Sequence, residues 1–340
     1  MLKHWWKILS VLLLLTVVVL GLKTPLSSGI SSVSEFQLDK GENSVDVYGY
    51  NTNFDTTDES LKVWLKSEDV VICGTHQVNN THKLSTTFNL TGKLPSKSLD
   101  LFVYSNSTDT LTLPYAFQFD VGINQSLARN CTLEATNTPN TPFAFPYREI
   151  LYETIRNLFF HVPMWFTMMT ILFIGFIYSI KFLGSENPLH DKIAQESVKV
   201  GLLFGILGLV TGAIWAKFTW GSWWVFQDIK LNGAAISTLM YLAYIVLRNS
   251  IDDEHKRGKV SAVYNIFAYI MFIVFIMVIP RLKGSESLHP GNGGNPAFSN
   301  YDLDSSLRTL FYPAVLGWIL LGIWFLSIRI RLEKIKSKLD

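Results

Sequence analysis

The chain has 340 residues, of which 49% are hydrophobic and only 16% are charged, and its mean hydropathy is +0.25. Soluble proteins carry about 25% charged residues, so this composition indicates a membrane protein and excludes intrinsic disorder. Residues 24–156 hold 15 acidic and 9 basic side chains, whereas the remainder holds 12 acidic and 20 basic ones. Because the acidic segment has no long basic run, nucleic-acid binding is not expected.

Six apolar stretches predict membrane-crossing helices, since each is about long enough for a hydrocarbon layer of ~30 Å. The first is short and follows two tryptophans, which is typical of a signal peptide or a membrane anchor. No A-x-A cleavage site is clear after it, so we expect it to be retained. The stretches are 8–22, 162–182, 200–218, 231–247, 260–280 and 310–328.

The placement of Lys and Arg predicts the orientation of these helices. The segments on one side carry 12 basic residues, and those on the other side carry 5. The positive-inside rule therefore places both termini in the cytoplasm and residues 24–160 outside the membrane. The central turns of the five downstream stretches lack ionisable residues, which disfavours a pump or a proton-coupled carrier.

Between the first two apolar stretches, short strand-like runs alternate with Asn, Gly, Pro and Ser, a pattern typical of an antiparallel sandwich. The predicted fold class is an all-α polytopic membrane domain of about six helices with an inserted extracytoplasmic β-sandwich-like domain. Its boundaries are a first span at 1–23, the β-rich domain at 24–146 and a membrane domain at 147–340. The predicted strands are 44–50, 61–65, 70–73, 83–90, 99–104 and 115–121.

Cys73 and Cys131 both fall within the predicted outer domain. Two cysteines on the oxidising side of a membrane could form a disulfide. The alternative is a pair of unpaired core thiols.

Two of the seven histidines lie at predicted outer membrane boundaries. His161 opens the second apolar stretch, and His289 follows the fifth. In contrast, His190 and His255 lie in predicted cytoplasmic loops, where solvated side chains are expected. Either boundary histidine alone could be an interfacial side chain with its ring among the lipid headgroups.

A dense tryptophan cluster lies between these two histidines. Four of the ten tryptophans fall within residues 215–224. An aromatic belt scatters its rings, whereas this cluster offers a flat apolar surface on which a planar ligand can stack. Imidazoles for an iron, aromatic rings for a porphyrin and cations for propionates together indicate haem. The candidate residues are His161 and His289; Trp215, Trp220, Trp223, Trp224, Phe226 and Asp228; and Arg156, Lys217 and Lys230.

This cluster resembles a known motif. Trp220-Gly221-Ser222-Trp223-Trp224, followed by Asp228, is similar to the WWD signature of the CcmC/CcsA haem-handling proteins, and the sequences around His161 and His289 are similar to the family's histidine motifs. The resemblance is closest to the CcmC type, haem exporter protein C. It implies a six-span protein of the bacterial inner membrane that binds haem b at the outer face during cytochrome c maturation.

The same resemblance implies roles for residues and partners. His161 and His289 would be axial ligands, the 220–228 loop would be the haem platform, and Arg156 and Lys230 would assist haem transfer. The implied partners are a periplasmic haem chaperone of the CcmE type and ABC transporter subunits of the Ccm type. The chain departs from the family pattern at Phe226, where a second tryptophan is usual, and Asp228 comes one residue late.

Two alternatives remain open at this stage. A CcsA-type cytochrome c synthase would attach haem covalently to apocytochrome, and a structural protein would only anchor the outer domain. Synthases of that type also place histidines within the membrane, which the five downstream stretches lack in their central turns. Haem delivery, a non-enzymatic role, is therefore the preferred hypothesis.

Overall fold

The computed structural model of the chain describes residues 4–67, 70–90, 98–105, 108–119, 143–282, 287, 289, 303–336 and 338–339. The chain divides into two compact units. One, the helical unit, comprises Met1–Lys23 and Thr154–Asp340. The other, the β unit, is Thr24–Glu153.

The described residues of the β unit form eight strands in one sheet, with the order β1-β3-β6-β5-β4-β7-β8-β2. The sheet is mixed, because β2 pairs with β8 in parallel while β3 and β6 pair antiparallel. The strands are β1 (Gly29–Val33), β2 (Gln37–Leu38), β3 (Gly41–Tyr50), β4 (Lys62–Ser67), β5 (Val70–Asn80), β6 (Lys83–Leu90), β7 (Ser98–Ser105) and β8 (Thr108–Phe119).

The predicted fold class is wrong in two respects. The chain is not all-α, because a large sheet accompanies its helices. That sheet is also continuous rather than a sandwich of two. The reason is β5, which is longer than its apolar beginning suggests: Gly74 pairs with β4, and the next residue, Thr75, pairs with β6. The polar second half of β5 thus joins the two halves of the sheet.

Alternating burial shows which face of the sheet forms its core. In β6, Leu84, Thr86, Phe88 and Leu90 are buried while the residues between them are partly or fully exposed. This period of two places every second side chain on one face of the strand. Leu84, Phe88 and Leu90 join apolar side chains of the other long strands in one cluster. Cys73 lies in β5, and Cys131 falls outside the described residues, so their disulfide stays a prediction.

Within the part of the helical unit that the structure describes, six helical segments are long and apolar enough to cross a membrane, which confirms a multi-pass membrane protein. A 3₁₀ segment, Tyr152–Phe159, precedes the second, and a π-helical turn, Val274–Val278, interrupts the fifth. The helices are α1 (Trp5–Lys23), α2 (His161–Ser185), α3 (Pro188–Trp220), α4 (Ile229–Asn249), α5 (Glu254–Ile273), α6 (Ile279–Leu282) and α7 (Ser305–Lys336).

Polar side chains define where three of these helices begin. Asn187 caps α3 by accepting from the backbone N–H of Leu189, and Pro188 occupies the first turn. Asp228 and Asp253 cap α4 and α5 in the same way. Such caps satisfy backbone donors that have no partner within the helix. The caps therefore fix where these three helices begin.

Candidate functional site

A cavity of 330 Å³ opens at the end of the helical unit where α2 and α4 begin and where α3 ends. Four of the predicted site residues line it: His161, His289, Trp224 and Lys230. The remaining wall is mainly apolar and comes from α2, α3, α4 and the π-helical turn. The fold therefore brings together side chains that are up to 128 positions apart in sequence.

His161 is fixed through one ring nitrogen. Its Nδ1 lies 3.0 Å from the backbone oxygen of Gly208 and 3.2 Å from Oγ1 of Thr211, both on α3. A carbonyl oxygen can only accept, so Nδ1 donates and carries the proton. The lone pair then resides on Nε2. This is the arrangement in which metal-binding histidines are found, with the second nitrogen donating to an acceptor.

His289 lies against two tryptophans of the predicted platform. The ring centroid of His289 is 5.5 Å from that of Trp215 and 5.0 Å from that of Trp220. These two indoles contact each other edge to face at 4.8 Å. Such aromatic contacts restrict the orientation of the imidazole. Trp215 and Trp220 therefore position a histidine, in addition to any surface that they offer to a ligand.

The carboxylate of Asp228 connects α4 with the segment that carries His289. Oδ1 accepts from the backbone N–H groups of Lys230 and Leu231, at 2.9 and 3.1 Å. Oδ2 accepts from the hydroxyl of Ser287 at 2.9 Å and lies 3.7 Å from Nδ1 of His289. The same hydroxyl of Ser287 accepts from the backbone N–H of His289. Asp228 is 1% exposed, so it lies beside His289 rather than on an open platform.

The electrostatic surroundings keep Asp228 ionised. Burial by itself raises the pKa of this carboxyl, but the attraction of His289 and the hydrogen bonds from Leu231 and Ser287 lower it by more. The resulting pKa lies well below the usual range for aspartate. A negative charge therefore lies 3.7 Å from Nδ1 of His289.

The other predicted residues differ in exposure. Trp223 and Phe226 are 58% and 78% exposed, and neither is among the residues that line the cavity. Lys217 donates to the backbone oxygen of Gly221 at the end of α3. Arg156 donates to the backbone oxygen of Gly21, the third-last residue of α1.

Several residues that sequence reasoning missed complete the site. Trp165 lies edge-on to His161, one helical turn along α2, and it also lines the cavity. Met169 and Met277 also line the cavity. Helical spacing from His161 would have indicated Trp165 and Met169. Met277 could not be found in this way, because it lies in the π-helical turn, where the helical period changes.

The composition of this cavity fits haem. The hydrogen bond of Nδ1 to the backbone oxygen of Gly208 leaves the Nε2 lone pair of His161 for an iron, and the imidazole of His289 lines the same cavity. The apolar wall and the indole of Trp224 suit a porphyrin plane. Lys230 supplies a cation at the cavity, and its Nζ donates to the backbone oxygen of His289 at 3.4 Å. Such a group suits a carboxylate on the ligand.

Comparison with known proteins identifies the family. The family model described as "Heme exporter protein C", CcmC, matches residues 143–339, more than half of the chain. This chain belongs to the CcmC family. The resemblance predicted from the tryptophan motif is thereby confirmed.

Curated relatives from several bacteria carry the same family description, "Heme exporter protein C". The protein of Bradyrhizobium diazoefficiens is 32% identical over 121 residues, which are 34% of this chain and 44% of the relative. That of Haemophilus influenzae is 30% identical over 145 residues, 41% and 54% of the two chains. The Escherichia coli K12 protein is 23% identical over 190 residues, 53% and 70% of the two chains. The chain thus spans about half the length of the first two relatives.

Proposed function

We propose that this chain is a haem-handling membrane subunit of cytochrome c maturation that holds haem b non-covalently between His161 and His289. The observation that carries the proposal is that both histidines line the same cavity. Nδ1 of His161 is hydrogen-bonded to the backbone oxygen of Gly208, so Nε2 is the nitrogen of this ring that would bind iron. Membership of the CcmC family supports the same ligand.

The proposed role is delivery of haem rather than chemistry on it. Haem would be the cargo, which the two imidazoles hold and Lys230 orients through a propionate. The 330 Å³ cavity lies at one end of the helices rather than at their middle, which suits loading and release at a membrane surface. We propose that the recipient is a haem chaperone of the CcmE type and that ABC transporter subunits of the Ccm type assist release.

The distribution of charge supports an orientation in which the cavity faces outward. Basic residues are concentrated at the opposite end of the helices, where Arg248 pairs with Asp191 and Arg329 pairs with Glu196. Positively charged ends remain in the cytoplasm. The proposed location is therefore the bacterial inner membrane, with the cavity and residues 24–160 on the extracytoplasmic side.

The test is the absorbance spectrum of the full chain purified in detergent after addition of haem. Ligation by both histidines gives a six-coordinate, low-spin spectrum. We expect His161→Ala and His289→Ala each to convert the spectrum to a five-coordinate form or to lose haem. Added imidazole should partly restore the six-coordinate form, because it can replace the missing side chain.

Matched histidine variants serve as controls. His190 contacts Ser185, and His255 contacts Glu186, at the opposite end of the helical unit. His190→Ala and His255→Ala should therefore leave the spectrum unchanged. A wild-type protein that binds no haem would show that the chain is a structural anchor instead. A six-coordinate spectrum that survives both cavity substitutions would show that other side chains ligate the iron.

A further inference from the structure

Helices α2 and α3 pack in a regular antiparallel register in which bulky side chains of α2 lie over glycines of α3. The contacting residues of α2 are three or four positions apart, and the glycines that they contact on α3 are spaced by the same numbers in the opposite direction. A Cβ built on each glycine would overlap the side chain opposite, at 2.6 to 2.9 Å from its nearest atom. The four pairs are Leu172 with Gly201, Met168 with Gly205, Trp165 with Gly208, and His161 with Gly212.

The last pair differs from the others in what the glycine faces. A Cβ on Gly212 would lie 2.6 Å from Cε1 of His161, 3.2 Å from Nδ1 and 3.5 Å from Nε2. The missing side chain of Gly212 therefore leaves room for the edge of the ring that carries both nitrogens. At Gly205, in contrast, the overlap is with the thioether of Met168, a flexible side chain that can move aside.

The imidazole has little freedom to move away from such a methyl group. Nδ1 is held by the backbone oxygen of Gly208 and by Thr211, and the ring meets the edge of Trp165. Trp165 in turn lies over Gly208, where a Cβ would be 2.9 Å from its indole. Displacement of the ring would break the hydrogen bond of Nδ1 and turn Nε2 away from its present direction.

We propose that Gly212 is a positioning residue for haem ligation, which holds the Nε2 of His161 in line with the iron by leaving this space empty. The proposal rests on the proposed function, because it assigns Gly212 a role in the ligand geometry of that same cavity. It predicts that Gly212 acts on the spectrum of bound haem, whereas Gly201 and Gly205, which do not line the cavity, act on helix packing alone.

The first test compares Gly212→Ala with Gly201→Ala in the full chain. Gly201 is the matched control, because its Cβ would overlap Leu172 at the same distance of 2.6 Å, away from the cavity. We expect Gly212→Ala to lose the six-coordinate spectrum and to weaken haem binding roughly 10-fold or more, the usual effect of disturbing a group that orients a metal ligand. Gly201→Ala should keep the wild-type spectrum even if its thermal stability is lower.

A second test does not depend on how well Gly212→Ala folds. His161→Ala removes the ring that the new methyl would meet, so the double variant His161→Ala/Gly212→Ala has room for it. Added imidazole should restore the six-coordinate spectrum of His161→Ala, and the double variant should need roughly 10-fold more imidazole, since the methyl occupies the edge of the ring site. Equal rescue of both variants would overturn the proposal.

The outcomes separate the two proposals. If the wild-type chain binds no haem, the proposed function fails and the role of Gly212 fails with it. If the wild type binds haem through His161 but Gly212→Ala keeps both spectrum and affinity, the role of Gly212 alone is refuted. A loss of spectrum that is identical in Gly212→Ala and Gly201→Ala would also refute it, because the effect would then be one of helix packing.

Discussion

Oδ2 of Asp228 lies 3.7 Å from Nδ1 of His289. The other oxygen of the same carboxylate caps α4 through the backbone N–H groups of Lys230 and Leu231. One side chain therefore serves both the start of a helix and the orientation of a candidate iron ligand. Asp228 comes directly before α4 and is buried. Its carboxylate therefore links the end of the 220–228 loop to the segment that carries His289.

Asp228→Asn should separate these two roles. Asparagine caps helices about as well as aspartate, so the start of α4 should be retained, but the charge facing His289 is lost. We expect haem affinity to fall roughly 10- to 100-fold, as for other groups that orient metal ligands, measured by haem titration. Asp253→Asn, at the cap of α5, is the matched control and should leave haem affinity unchanged. Equal affinities for both variants would refute this role of Asp228.

The lowered pKa of Asp228 predicts the pH range in which its interactions persist. A carboxyl group whose pKa is lower in the folded state stabilises the folded protein. This stabilisation is complete above the unfolded pKa of about 3.9 and is lost only as the pH falls through the folded pKa. The difference in melting temperature between wild type and Asp228→Asn should therefore be constant from about pH 5 to pH 8. A difference that changes with pH in this range would show that a charge in the contact between Asp228 and His289 changes there.

The long apolar runs were sufficient to predict the six membrane helices, because each run must bury its backbone in a helix to cross a bilayer. They were not sufficient for α3, which begins at Pro188, well before the apolar stretch at 200–218. Its first turns are amphipathic, and ion pairs of Asp191 and Glu196 with other helices stabilise them. Such partners cannot be read from one sequence.

The candidate site, too, could be predicted from the sequence only in part. Residue type and position at the predicted outer boundary indicated His161, His289, Trp224 and Lys230, which the fold does place around one cavity. The motif could not distinguish Trp223 from Trp224, since adjacent residues in a loop can point to opposite sides. Nor could it separate a buried helix cap from a platform residue at Asp228, because both uses require a carboxylate at that position.

The two adjacent tryptophans should therefore differ in their effect on haem. Trp224 lines the cavity, whereas Trp223 is 58% exposed and lies outside the cavity lining. Loss of an aromatic contact costs about 1 kcal/mol beyond burial, or roughly fivefold in affinity. We expect Trp224→Ala to weaken haem binding by at least this factor and Trp223→Ala to have a smaller effect, both measured by haem titration. A larger effect of Trp223→Ala would mean that haem stacks on the outside of the loop.

The two lysines that flank the 220–228 loop allow the contribution of a cation to haem binding to be tested. Lys230 lines the cavity and reaches the backbone oxygen of His289, whereas Lys217 donates to the end of α3 and is not among the residues that line the cavity. If Lys230 contacts a propionate, Lys230→Met should weaken binding of haem more than binding of its dimethyl ester, in which the propionates carry no charge. Lys217→Met should affect neither ligand. We expect a Lys230→Met effect of several-fold on haem at low salt, which decreases as salt screens the interaction. Equal weakening of haem and its ester by Lys230→Met would show that this lysine acts only through the backbone of His289.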